Sequence, residues 1–108
     1  MGRPTRAEYV QRLKDRTRKQ ILTAALRIAK RYGLQAVKRD AVAHEAGCGT
    51  GTVNFHFQTV RYLHDAVLTE AVRTRALRLI AEGIVNGYPA VASVPADLRS
   101  EAMASYNN

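Results

Sequence analysis

The chain has 108 residues, one domain's worth, with 17 Lys and Arg against 9 Asp and Glu, a formal charge of +8, and a hydrophobic share of 46% that suffices for one modest core. No apolar run is long enough for a membrane span, the N-terminal stretch MGRPTRAEYVQRLKDRTRKQ lacks the apolar segment of a secretory leader, and the single cysteine, Cys48, has no partner for an internal disulfide. A membrane anchor, a secreted precursor and a disulfide scaffold are therefore not expected, and a reducing cytoplasm is.

Residues 1–13 are expected to form a flexible basic arm, because Gly2 and Pro4 break structure and nothing apolar anchors the first eight positions. The charge is concentrated here and just beyond. Residues 1–31 hold ten basic side chains against Glu8 and Asp15, whereas residues 32–108 hold seven of each sign and are neutral. Such a block is the electrostatic footprint of a polyanion-binding protein, and double-stranded DNA is the expected partner. An anionic membrane is disfavoured, since residues 5–20 offer only Ala7, Tyr9, Val10 and Leu13 as apolar contacts.

A first core helix is predicted over about residues 14–32, where Ile21, Ala25, Ile28, Ala29 and Tyr32 recur on one helical face and Leu22 and Leu26 widen it. Gly33 is its expected stop, with Lys30 and Arg31 suited to the last turn. A short helix follows at 38–46, with Asp40 in or before its first turn, ending at Gly47. The segment GCGTGT leads into a second short helix, TGTVNFHF. Thr59 is placed as the N-cap of a long helix running to about Ile84 and carrying Val60, Leu63, Val67, Ala71, Leu77, Ile80 and Ile84 near one face. Gly87, Tyr88 and Pro89 end it, residues 90–95 read as a linker, and residues 96–105 form a last short helix. No strand is predicted, because no polar–apolar alternation reaches five residues.

The informative spacing lies at 42–57. Two short helices crossing steeply need a small residue at the contact, which is Ala43, and a residue tolerant of positive φ four positions on, which is Gly47. The second helix must then return apolar side chains to the core, and Val53 and Phe57 do so one turn apart.

With these residues in view, positions 21–68 resemble the DNA-binding domain of TetR-family transcriptional regulators. Ile21, Ala24-Ala25, Gly33, Val42-Ala43, Ala46-Gly47, Gly51-Thr52, His56-Phe57 and Leu63 carry the likeness, and the arm beginning Gly2-Arg3-Pro4 is also similar. The resemblance implies an all-α fold: a helix–turn–helix unit of TetR type at 14–58, then a region at 59–108 with the long helix and one short C-terminal helix, used for dimerisation. It also implies double-stranded DNA and a homodimer. Six positions depart from the family pattern. Lys38 and Arg39 stand where a capping hydroxyl and an aliphatic are usual, Cys48 and Gly49 replace Val-Ser, Asn54 replaces a phosphate-gripping tyrosine, and Val60 replaces a lysine. About 40 residues follow Leu68, too few for the family's effector domain, so a small-molecule ligand of family type is not expected.

The second short helix is the expected recognition helix. With Val53 and Phe57 turned inward, steps of about 100° per residue place Gly51 and Phe55 outward, flanked by Thr52 and Asn54. Thr52, Asn54 and Phe55 are assigned to bases: Asn54 suits the paired edge of adenine, and Phe55 or a Thr methyl suits thymine. Arg3, Arg6, Lys38, Arg39, Thr50, Gly51, His56 and Arg61 are assigned to phosphates and register. Leu77, Ile80, Ile84 and Met103 are assigned to the dimer contact.

No enzyme, cofactor or metal is expected. His44 and Cys48 are separated by a turn glycine and lack further ligands, GCGTGT lacks the Lys-Ser/Thr ending of a phosphate-binding loop, and Cys48 has only His44 as a nearby base. The expected function is a sequence-specific regulator, most simply a repressor on a palindromic operator, acting in the cytoplasm at the nucleoid and encoded by a bacterium, phage or plasmid. The alternatives left open are a nonspecific architectural DNA-binding protein and a phage- or plasmid-type adaptor that uses the same fold for protein contacts.

Overall fold

The chain, described here from a computed structural model covering residues 2–107, is built from six α-helices and two short 3-10 turns, with no strand among the described residues. Met1 and Asn108, the outermost positions of the expected arm and C-terminal region, lie outside the described residues.

Helix α1 spans Arg6–Tyr32, beginning eight residues earlier than the apolar periodicity indicates. Its start is set by polar chemistry. The Thr5 hydroxyl accepts a hydrogen bond from the Glu8 backbone N–H at 3.1 Å, and Thr5-x-x-Glu8 is the pattern of a capping box. From there to Gly33 the chain contains no glycine or proline and is rich in good helix formers. Gln11 Nε2 also donates to Asp15 Oδ1 at 2.9 Å, one turn on. The expected 13-residue arm is therefore helical from Arg6, and only residues 2–5 of the described chain precede the helix. Gly33 stops α1 at φ 95°, a backbone region that favours glycine, and its N–H donates to Ala29 O at 2.8 Å.

A 3-10 turn at Leu34–Ala36 buries Leu34, whose N–H donates to Glu82 Oε2 at 2.8 Å. Helix α2 covers Arg39–Ala46 and ends at Gly47, φ 71°. There Cys48 N–H donates to Ala43 O and Gly47 N–H to His44 O, the paired bonds of a Schellman stop. Helix α3 covers Thr50–His56, and α4 covers Val60–Arg73 with the Thr59 hydroxyl accepting from Tyr62 N–H at 3.0 Å.

The expected long helix is broken. It ends at Arg73 and resumes as α5, Leu77–Val85. Thr74 closes α4, Arg75 adopts φ 54°, Ala76 N–H donates to Ala71 O at 2.8 Å and Arg75 N–H to Val72 O at 3.2 Å. These are again Schellman bonds, but with arginine in the left-handed position. Arg75 Nη2 also reaches Glu101 Oε2 at 2.8 Å, so a distant side chain holds the break. Residues 90–95 are more than a linker: a 3-10 turn at Pro89–Val91 inserts Val91 into the core, 1% exposed. Helix α6, Ala96–Asn107, packs along α5 through Leu98 and Ala102.

One core results. Ile21, Ala25 and Ile28 of α1 meet Val42 and Ala43 of α2, Val53 and Phe57 at α3, Leu63, Val67 and Leu68 of α4, and Ile80 of α5. Burial of a side chain as large as Phe57 contributes about 1.5–3 kcal/mol, so a few such residues hold α2 and α3 in place despite their shortness.

Candidate nucleic-acid interface

Helix α3 has two unlike faces. Val53 and the adjoining Phe57 are buried at 0% and 1% exposure, whereas Phe55 between them is 64% exposed. Asn54, Thr50 and Gly51 are also exposed, and Thr52 and His56 are half-buried. A Cβ built on Gly51 would meet nothing within 4 Å, so the backbone there is bare. Gly49 is the N-cap, and no side chain caps the helix, so neither Thr50 nor Thr52 is consumed as a cap. The outward face consists of side chains able to donate, accept or make methyl and ring contacts, as a major-groove reader requires.

The N-terminal part of α1 runs beside the far end of α3. Lys14 Nζ lies 5.8 Å from the Phe55 ring centroid, and the Arg18 guanidinium lies 4.7 Å from that of Phe57. His56 sits among these cations. Burial first, and then Arg18 and Lys14, hold its imidazole below its ordinary pKa. The Phe55 and His56 rings meet edge to face at 5.0 Å. Arg6 opens α1 on its exposed outer end, roughly 12 Å of helix beyond Lys14, and Arg3 precedes it in the exposed stretch 2–5.

On the other side of the unit, Lys38 is the exposed N-cap of α2, without a side-chain cap bond, and Arg39 is its exposed first residue. Arg61, in the first turn of α4, is exposed with its guanidinium 4.7 Å from the Tyr88 ring centroid. Two helix N-termini, that of α2 without a side-chain cap and that of α4 capped by Thr59, therefore carry basic side chains, an arrangement that suits phosphate oxygens.

The charge block by itself does not show which α1 cations sit nearest α3. Lys14 and Arg18 touch its aromatic residues, while Arg16, Lys19, Gln20, Thr23 and Arg27 line a cleft of about 400 Å³ against the end of α2. Within that cleft Arg27 Nη1 is paired with Glu45 Oε1 at 2.9 Å. The capping box at Thr5 is the available signal: once residues 6–20 are helical, Lys14 and Arg18 share one face, and Arg12, Arg16 and Lys19 share the opposite one.

The residues assigned to a dimer contact divide. Ile80 is fully buried within the single chain, where α5 packs against the core, so its side chain is not available to a partner surface. Leu77, Ile84 and Met103 are half-buried against the same core, and Val85 and Tyr106 expose 53% and 41%. Elsewhere, His44 is exposed on α2 and Cys48 half-buried in the turn. No three metal-ligating side chains gather among the described residues, and no described helix is long and apolar enough to cross a membrane.

A short exposed helix pinned by two buried side chains, crossed by a second helix at Ala43 and joined to it through Gly47, is a helix–turn–helix, the unit of DNA-binding regulators. Residues 21–67 match the family described as bacterial regulatory proteins, tetR family. The match covers the buried half of α1, α2, α3 and the first half of α4, and it agrees with the resemblance read from the sequence over the same stretch. No curated protein and no solved structure matches the chain.

Proposed function

We propose that the protein is a sequence-specific, double-stranded-DNA-binding repressor that acts as a homodimer on a palindromic operator in the bacterial cytoplasm. The observation that carries this reading is the opposition within α3: Val53 and Phe57 lock the helix to the core while Asn54 and Phe55 stand in solvent. Inserted in a major groove, Asn54 pairs with the N6 and N7 edge of adenine, Phe55 and the Thr52 methyl meet thymine methyls, and each good pairing discriminates by about 1–3 kcal/mol. Thr50, Gly51 and His56 fix the register of α3 on the sugar–phosphate backbone. Lys38, Arg39 and Arg61 neutralise phosphates on one side, and Arg3, Arg6 and the basic outer part of α1 do so on the other.

A single α3 reads only a few base pairs, so two copies on half-sites about 34–36 Å apart supply the specificity. The supporting surface is the α5–α6 face, where Leu77, Ile84 and Met103 remain half-buried and Val85 and Tyr106 are exposed. No catalytic, metal or cofactor chemistry enters this reading, and a family-type effector pocket has no part in it.

Selection of bound duplexes from a random pool at about 150 mM salt tests the proposal. A recovered palindrome, bound far more tightly than random DNA, supports it. Equal affinity for all duplexes at matched salt turns the reading to a nonspecific architectural protein, which the basic α1 favours. Absence of binding turns it to a protein-contact adaptor. Sedimentation that finds only monomer at micromolar protein, with and without DNA, removes the dimer.

A further inference from the structure

Behind the basic edge of the interface lies a side chain that the DNA reading does not use. His64 of α4 is buried, 9% exposed, and both its ring nitrogens are engaged. Nε2 lies 2.7 Å from the Val37 carbonyl oxygen, and Nδ1 lies 2.9 Å from the Tyr88 hydroxyl. The carbonyl only accepts, so Nε2 carries the hydrogen and donates to it. In the neutral ring Nδ1 then accepts from the Tyr88 O–H.

Both ends of this chain of bonds lead to cations assigned to DNA. Val37 immediately precedes Lys38, the N-cap of α2, and Arg39, its first residue. Its carbonyl is the last backbone group before the chain turns into that helix. At the other end, the Tyr88 ring carries the Arg61 guanidinium on its face at 4.7 Å. Tyr88 itself is fixed by the stop of α5, where its N–H donates to Gly83 O at 2.9 Å. It lies 24 residues from His64 in sequence and outside the matched stretch 21–67.

We infer that His64 and Tyr88 are positioning residues of the DNA interface. Tyr88 holds Arg61 at the height of the phosphates, and His64 ties the entrance of α2 to the same ring, so Lys38, Arg39 and Arg61 are presented as one rigid edge. The end of α5 is thereby mechanically continuous with that edge. This inference rests on the DNA-binding reading and names residues of that site which touch no DNA themselves.

A double-mutant cycle on the full chain, read by DNA affinity across a salt series, tests it. Arg61→Ala in the wild-type background is expected to weaken binding to all sequences and to lower the slope of log affinity against log salt by about 0.9, the share of one neutralised phosphate. With Tyr88→Ala already present, Arg61→Ala is expected to cost at least about threefold less, because the guanidinium no longer has its platform. Tyr88→Phe keeps the ring and removes only the hydroxyl, and is expected to preserve the Arg61 contribution. His64→Gln, which retains a donor for Val37 O, is expected to keep more of the salt slope than His64→Leu.

Equal costs of Arg61→Ala in the two backgrounds, in variants whose thermal melting shows them folded, overturn the Tyr88 role. Equal salt slopes for the two His64 variants and the wild type overturn the His64 role. Should Tyr88→Ala not fold, the cycle is run with Tyr88→Leu, and the His64 pair remains an independent arm. A wild-type chain with no DNA affinity overturns the DNA reading itself, and this inference with it. That outcome is distinct from a binding wild type with additive effects, which overturns the inference alone.

Discussion

Residues 21–29 of α1 contain five buried side chains, whereas residues 6–16 of the same helix contain none. The inner part is held by its neighbours: Ile21, Ala25 and Ile28 fill the core against α2 and α4. The outer part is held by its own chemistry, through the Thr5 cap, helix-forming residues and the Gln11–Asp15 bond. An isolated helix of that length is marginal in water. Here it grows from a turn that the core has already nucleated, so only propagation is needed. The difference separates two tasks along one rod. The inner half sets stability and fixes α2 and α3, and the outer half leaves Arg6, Arg12, Lys14 and Arg16 in solvent, where a polyanion can reach them.

The sharpest way to break this division is to truncate one apolar side chain in each half. Ile21→Ala, at 0% exposure, is expected to cost about 2–5 kcal/mol of unfolding free energy in a denaturant titration. Leu13→Ala, at 41% exposure, is expected to change stability by about 0.5 kcal/mol or less. A Leu13 cost near that of Ile21 means that the outer helix is packed in solution against something, and the division fails.

Charge sharpens the same contrast through binding. The double change Arg12→Glu, Arg16→Glu is expected to leave the melting temperature nearly unchanged. It should weaken association with every DNA sequence alike, lowering the salt slope by up to about 0.9 for each phosphate that is no longer neutralised. A loss confined to one preferred sequence assigns these arginines to base reading instead and places the outer helix in a groove.

The range of the interactions involved decides how much of the fold is legible in the sequence. The α2–turn–α3 unit was readable because its determinants are local. Gly47 supplies the positive φ, Ala43 the close crossing, and the buried pair Val53 and Phe57 leaves Phe55 facing out by helical geometry alone. Gly33 and Thr59 were readable for the same reason. Apolar periodicity detects only the buried half of a helix, so it places the start of α1 late, although Thr5-x-x-Glu8 marks that start. The break after Arg73 was hidden because its left-handed residue is Arg75 rather than glycine, held by Glu101 from another helix. Ile80 is surplus to the core only if the helix runs on unbroken; the break turns α5 back and buries it. The His64–Tyr88 bond joins side chains with no local pattern between them, so only the fold reveals it.

The cap gives a more local test. Thr5→Ala removes the acceptor of the Glu8 N–H and is expected to weaken the start of α1 by about 1 kcal/mol. Because residues 6–16 touch no core, the global unfolding midpoint should stay in place while far-ultraviolet ellipticity falls and amide exchange quickens over the first turns. A shift of the global midpoint instead shows that the two halves unfold as one unit.

The smallest expected effect lies where the two halves meet, at His56. Burial, then Arg18 and Lys14, disfavour its imidazolium, so its pKa in the folded chain is below the value of about 6.5 expected when unfolded. The unfolded chain therefore binds the proton more readily. The associated stability is present above about pH 6.5 and is lost as pH falls through the folded pKa, below which it is flat. Binding should run the other way. A phosphate placed at His56 favours the charged ring, so the pKa in the complex is higher than in the free protein and association takes up at most one proton per protomer. Affinity then rises as pH falls through the bound-state pKa and levels off below the free-state value. His56→Gln should flatten both profiles. If wild type and His56→Gln share the same pH dependence of DNA affinity, no phosphate sits at His56, and the cations at residues 14 and 18 meet the duplex without it.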